Sequence, residues 1–186
     1  LSDKKRTFCF GRFLIDVPSE VELAYGSAEI DGRLEVISDG ADKLDDYVQA
    51  YLDELEKNRY RIGSRQQNVP RYGEVIKGAT HGQRIVFGSK DYVGHSLTSF
   101  IQKIPHLFIH TLDSSDDNTQ DIERVNQIAS SLQPRKSDEI PAQPGVCVEN
   151  GFLSSDAEYE NISLGIRLRG HTDVHLSLQT KKNGDF

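Results

Sequence analysis

Methionine is absent from all 186 residues. A chain that opens Leu1-Ser2-Asp3-Lys4-Lys5 without an initiator is expected to be a processed or trimmed product, with a leader removed or its ends cut back. No apolar run approaches the ~20 residues of a membrane-spanning helix, and no secretory h-region is present. Strong chemical signatures are missing too. There is no G-x-S-x-G elbow, no Walker-type loop and no dinucleotide fingerprint, so those chemistries have no anchor here. Positive charge is in deficit: 22 Lys and Arg against 29 Asp and Glu leave a net charge of −7. Nucleic acid and anionic membrane surfaces both need a basic face, which argues against either as the main partner. The balance is compatible with a basic protein partner.

Cysteine is scarce. Cys9 and Cys147 are the only two, and each opens a similar phrase. The first is Phe8-Cys9-Phe10-Gly11-Arg12-Phe13-Leu14. The second is Val146-Cys147-Val148-Glu149-Asn150-Gly151-Phe152-Leu153. Each looks like a strand opening, one per domain. Two buried free thiols or one disulfide would both fit these apolar contexts. No His or Lys adjoins either cysteine, so a structural role fits better than a low-pKa nucleophile.

Periodicity supplies the elements. Thr7–Val17 reads as one strand stopped by Pro18, Glu20–Tyr25 as a second, and Ala28–Ser38 as a third with Gly32 as a bulge. Leu44, Tyr47, Val48, Tyr51, Leu52 and Leu55 then form one stripe of an amphipathic helix over Asp42–Asn58, with Asp42 as its N-cap. Strands follow at Tyr72–Lys77, Gln83–Phe87, Tyr92–Lys103 and Leu107–Leu112, with a hairpin at Ile104-Pro105. A second helix carries Ile122, Val125, Ile128, Ala129 and Leu132 on one face, with Asp117 and Gln120 as a capping box. The expected fold class is α+β: an antiparallel sheet with two helices in an N-terminal domain, 1–133. A Pro-rich linker spans 134–145. Strands near Val146–Val148, Ile162–Leu168 and Val174–Leu178 place 146–186 as the first part of a C-terminal α+β domain, incomplete here.

Two His-x3-His pairs, His106/His110 and His171/His175, fall in strand-like segments. There, residues four apart lie some 13 Å from each other, too far for one ion with bonds near 2.1 Å. They read as ordinary strand histidines. We assign no catalytic residue, no metal ligand and no cofactor, although scattered Ser, His and Asp leave a dispersed hydrolase triad open. Asn161-Ile162-Ser163 matches a glycosylation sequon by pattern alone. The acidic run Asp113–Asn118 reads as a solvated loop or, through Asp113, Asp116 and Asp117, as a contact for a basic partner.

The two Cys phrases also carry a family resemblance. Cys9-Phe-Gly-Arg-Phe-Leu-Ile-Asp-Val-Pro18 resembles the opening of the immunity proteins that protect bacteria against type VI secretion lipase effectors. Pro144-Gly-Val-Cys-Val-Glu-Asn-Gly-Phe152 resembles the start of that family's C-terminal domain, and His171-Thr-Asp-Val-His-Leu-Ser-Leu178 a later strand of it. The resemblance implies a periplasmic, two-domain, non-enzymatic inhibitor of a secreted phospholipase. Its contact residues lie in variable loops, so none is carried over. A periplasmic adaptor module with a different protein partner is the alternative. In an exported chain, the two cysteines are expected to form a disulfide that joins the two domain openings.

Overall fold

Gly11 and Arg12 cut the first apolar stretch in two. The structure, a computed structural model, describes residues 4–59, 71–90, 94–114, 118–154, 156–168, 171 and 174–183. In it β1 (Lys5–Phe10) and β2 (Phe13–Pro18) pair antiparallel, with Phe10 opposite Phe13. Residues 7–17 are therefore a hairpin and not one strand. Gly11 takes φ 56°, a left-handed conformation that glycine adopts without steric penalty. A Cβ there would also lie 2.5 Å from Thr180 Oγ1.

The second Cys phrase makes the same turn. β10 (Val146–Val148) and β11 (Gly151–Leu153) pair with Val148 opposite Gly151, leaving Glu149-Asn150 as a two-residue loop with Asn150 at φ 53°. The likeness of the two phrases thus has a structural reason. Both are tight hairpins, each with its cysteine one pair back from the turn: Cys9 opposite Leu14, Cys147 opposite Phe152.

The chain folds as two compact units, one of Leu1–Asp31 with Ser131–Phe186, the other Gly32–Ser130. The first unit holds both hairpins. In it β9 (Leu132–Pro134) pairs with β11, and a ribbon is formed by β3 (Val21–Ile30), β12 (Glu160–Leu168) and β13 (His175–Lys182). The expected strands at 20–25 and 28–38 differ from this. β3 runs unbroken through Gly26, and the break falls at Asp31-Gly32, where φ is 45° and 130°; Gly32 is a turn residue and not a bulge. Phe8, Phe10, Ile162, Leu164, Val146 and Leu153 are buried.

The second unit is a sheet in the order β4-β8-β7-β6-β5, every pair antiparallel. These are β4 (Arg33–Ile37), β5 (Val75–Lys77), β6 (Gln83–Lys90), β7 (Gly94–Lys103) and β8 (His106–Ser114). Helix α1 (Leu44–Arg59) buries Leu44, Val48 and Leu55 against Val86, Phe100 and Leu107, with Tyr47, Tyr51 and Leu52 half-buried alongside. Helix α2 (Asn118–Ser131) sets Val125 against Ile85, Phe87, Leu97 and Leu112. Successive strand residues face opposite ways, so Val86 and its neighbours Ile85 and Phe87 serve different faces. The two helices therefore cover opposite faces, and β6 is apolar on both.

Details of the helices depart from expectation. A 3-10 turn, Ala41–Lys43, precedes α1 and contains Asp42; Gly40 stands at its N-cap and no side chain caps it. Leu132 starts β9 and does not extend the α2 stripe. Asp117, expected in a capping box, lies outside the described residues. The hairpin at Ile104-Pro105, a cis peptide, is present with Lys103 opposite His106.

Two measurements test this packing. Leu55→Ala is expected to cost about 2–5 kcal/mol in urea denaturation, since truncating the buried leucine loses apolar burial and leaves a cavity. An unchanged midpoint would show that α1 does not pack through Leu55. Cys9 and Cys147 are joined by a disulfide across 138 residues. The chain-entropy relation gives up to about 5 kcal/mol for so long a loop, so Cys9→Ser should melt well below the parent. Two titratable thiols in the denatured, unreduced parent would overturn the bond.

Candidate interaction surfaces

Cys147 is the anchoring point of the first unit. Besides its disulfide to Cys9, its backbone N–H donates to Gly11 O at 2.8 Å and its carbonyl accepts from Gly11 N–H at 3.0 Å. The β1–β2 hairpin is thus held on β10 covalently and by a reciprocal backbone pair, with Phe152 completing a small cluster around the sulfurs.

A third restraint comes from the turn itself. Arg12 donates through Nε to Glu160 Oε2 at 2.8 Å and through Nη2 to Glu160 Oε1, and Nη2 also reaches Asp156 Oδ1 at 3.1 Å. Glu160 is only 4% exposed, so the bidentate partner matters: a buried carboxylate without one is costly. The hydrogen bond to Glu160 is the largest of the effects that raise the Arg12 pKa above its ordinary value. Lys182 joins the cluster at 2.7 Å from Asp156 and, with Arg12, holds that exposed carboxyl below the usual carboxylate value.

Beyond the turn the chain exposes two large apolar residues in succession, Phe13 at 60% and Leu14 at 57%. Alternation places them on opposite faces of the hairpin. Among the described residues, β2 pairs with β1 alone. Neither fact was visible in the sequence. Phe13 and Leu14 sit in an apolar phrase like any core strand, and only the turn at Gly11 turns them outward.

Arg135 organises the segment after α2. It is 3% exposed and donates to the carbonyls of Glu139 (2.8 Å), Lys136 (3.1 Å), Val148 (3.3 Å) and Gly151 (3.4 Å) and to the Tyr25 hydroxyl (3.3 Å). Its planar donors suit several acceptors at once. Burial pushes the Tyr25 hydroxyl pKa up, and the charge of Arg135 opposes that rise. The sequence holds no local sign of this, because the partners lie as far as 110 residues away.

The acidic residues expected to meet a partner are only partly placed. Asp113 lies near the end of β8, exposed and opposite Ser96. Asp116 and Asp117 lie outside the described residues. The histidines occupy different settings. His106 Nδ1 accepts the Asp39 N–H at 3.2 Å, His110 is buried in β8, His175 at the start of β13 pairs with Arg167 of β12, and His171 is exposed before β13. Among the described residues no three His, Cys, Asp or Glu side chains converge as a metal site would require, and no helix is long and apolar enough to cross a membrane. The second unit carries an open groove of about 380 Å³ whose lining includes Lys77, His81, Arg84, Asp42 and Asp45.

No curated protein matches the chain by sequence. Among solved structures it is similar to a chain of "The crystal structure of Tle4-Tli4 complex", with TM-score 0.80, 21% identity, and coverage of 97% of this chain and 60% of that one. It is also similar to "Apo structure of immunity protein TplEi of T6SS from Pseudomonas aeruginosa", with TM-score 0.74, 20% identity, and coverage of 97% and 62%. The chain therefore spans about three fifths of the length of the structures it matches. At this identity the likeness establishes the fold. Two family models extend it to descent: the Tle cognate immunity protein 4 N-terminal domain matches residues 6–135, and the C-terminal domain of the same family matches residues 139–185. The disulfide thus links the two matched regions, and the chain belongs to the Tle cognate immunity protein 4 family.

Proposed function

We propose that this chain is an immunity protein that binds and inhibits a type VI secretion phospholipase effector in the periplasm, protecting the producing cell, and that it has no catalysis of its own. The observation that carries the reading is membership of one immunity family over both matched regions, in chain order. The similar fold of a chain from the Tle4-Tli4 complex supports it. The Cys9–Cys147 disulfide suits an oxidising compartment. In domain terms, residues 1–133 are the N-terminal domain, 134–145 the linker and 146–186 the first part of a C-terminal domain. The bounds of the two family matches and the greater length of the similar structures support that division.

An inhibitor that must act before a membrane is damaged needs fast association and slow release. These draw on different groups. Charge raises the on-rate and is screened by salt; buried apolar and aromatic anchors set the off-rate. Asp113, Asp116 and Asp117 serve the first role toward a basic partner. Phospholipid hydrolysis by a type VI secretion phospholipase effector of the producing cell, measured against molar ratio of the complete protein, is expected to fall to background near equivalence. Full lipase activity at a several-fold excess would overturn the immunity reading in favour of an adaptor. Replacing Asp113, Asp116 and Asp117 by Ser should slow association more than it speeds dissociation, and the difference should vanish at high salt.

A further inference from the structure

We infer that the tip of the β1–β2 hairpin is the apolar anchor of the complex, with Phe13 and Leu14 entering an apolar cleft of the effector of the kind that holds a lipid acyl chain. The inference rests on the proposed function and names the surface of this chain that performs it. Three observations lead there.

The first is exposure. Phe13 and Leu14 are 60% and 57% exposed and adjacent in sequence. Isolated surface apolars need no explanation, but an adjacent Phe-Leu pair at a hairpin end is concentrated, and aromatic residues dominate interface hot spots. The second is rigidity. The tip is fixed by the Cys9–Cys147 disulfide, the reciprocal Gly11–Cys147 backbone bonds, the close approach of Gly11 to Thr180, and the bidentate Arg12–Glu160 pair. An anchor held this way loses little conformational freedom on binding, which strengthens affinity without any added contact. The third is shape. The two side chains project from opposite faces of a two-stranded ribbon, so a flat surface covers one and leaves the other wet. A cleft covers both.

The same observations select the occupant. A second copy pairing along β2 would bury a strip of roughly 20 Å by 10 Å on each partner, far short of the ~1,200 Å² total of a stable interface. A bilayer would accept Phe13 and Leu14, but the exposed carboxylates of Asp16 on the same strand and Asp156 beside Arg12 would meet anionic headgroups, and the chain carries net −7. Those carboxylates fit a protein cleft with a basic rim. An enzyme acting on phospholipid must hold acyl chains, and ligand sites of that kind are concave and lined with apolar side chains.

The test uses the full chain, the phospholipase effector of the producing cell, and Phe13→Ser, Leu14→Ser and the double variant. Both positions are exposed, so melting temperature and thiol content should match the parent, which separates lost contact from lost fold. Each single variant is expected to weaken binding by about 30-fold or more and the double variant by over 100-fold. A soluble short-chain phosphatidylcholine should compete with the parent for the lipase and leave the residual binding of the double variant unaffected. Parent-like affinity in the folded double variant would overturn the hairpin assignment while leaving the immunity function standing. Absence of competition would overturn the acyl-chain cleft as its receptor. A parent that does not bind the lipase at all would overturn both readings. A double variant that keeps lipase affinity but loses self-association in sedimentation, or loses pelleting with phosphatidylethanolamine–phosphatidylglycerol vesicles, would reassign the tip to a second copy or to the membrane.

Discussion

The junction at Cys147 is the constraint on which the first unit depends. One residue holds a disulfide to Cys9 and both backbone hydrogen bonds to Gly11, so a strand pair near the start of the chain is bonded to one 138 residues later. The strands β9, β10 and β11 are three residues each, and a small hairpin of that size is marginal alone in water. Covalent closure and the buried Arg135, with its fan of carbonyl acceptors, make the arrangement determinate. Remove the junction and the Phe8–Phe10 face of β1 loses its nearest covalent tie to the strands around it.

The second unit achieves order by a different route. Its sheet is apolar on both faces because α1 and α2 cover opposite sides, and β6 is buried accordingly at Ile85, Val86 and Phe87. Polar side chains within this packing bond to one another: Thr98 Oγ1 donates to Tyr51 OH at 2.9 Å and Gln83 Nε2 donates to Ser99 Oγ at 3.0 Å. Such a unit presents its strand ends and loops from a stiff base, which is where binding residues are usually carried.

Net charge is −7, and α1 alone carries Asp45, Asp46, Asp53, Glu54 and Glu56. Two of the exposed large apolar residues, Phe13 and Leu14, are neighbours at the tip of one restrained hairpin. Arg12, at that same tip, is bound to Glu160 and Asp156, so its charge is answered within the chain beside the apolar pair.

Local pattern was legible and long-range partnership was not. The stripe Leu44, Val48, Leu55 predicted α1 and the face it buries, because a 3.6-residue period is written into neighbouring positions. Net charge and the two matched Cys phrases were equally open to reading, and so was the family, since those phrases keep their order. The turn at Gly11 was not foreseen, because a glycine within an alternating apolar run is as compatible with a strand as with a tight loop. Its conformation was settled by Cys147 and Thr180, both far along the chain. The Arg12–Glu160 pair, 148 residues apart, and the burial of Arg135 lay equally out of reach. By itself, the sequence determined the helices, most of the strands and the chemistry available. Tertiary structure alone decided which apolar residues face water, because exposure depends on what distant chain segments cover and no local period records that.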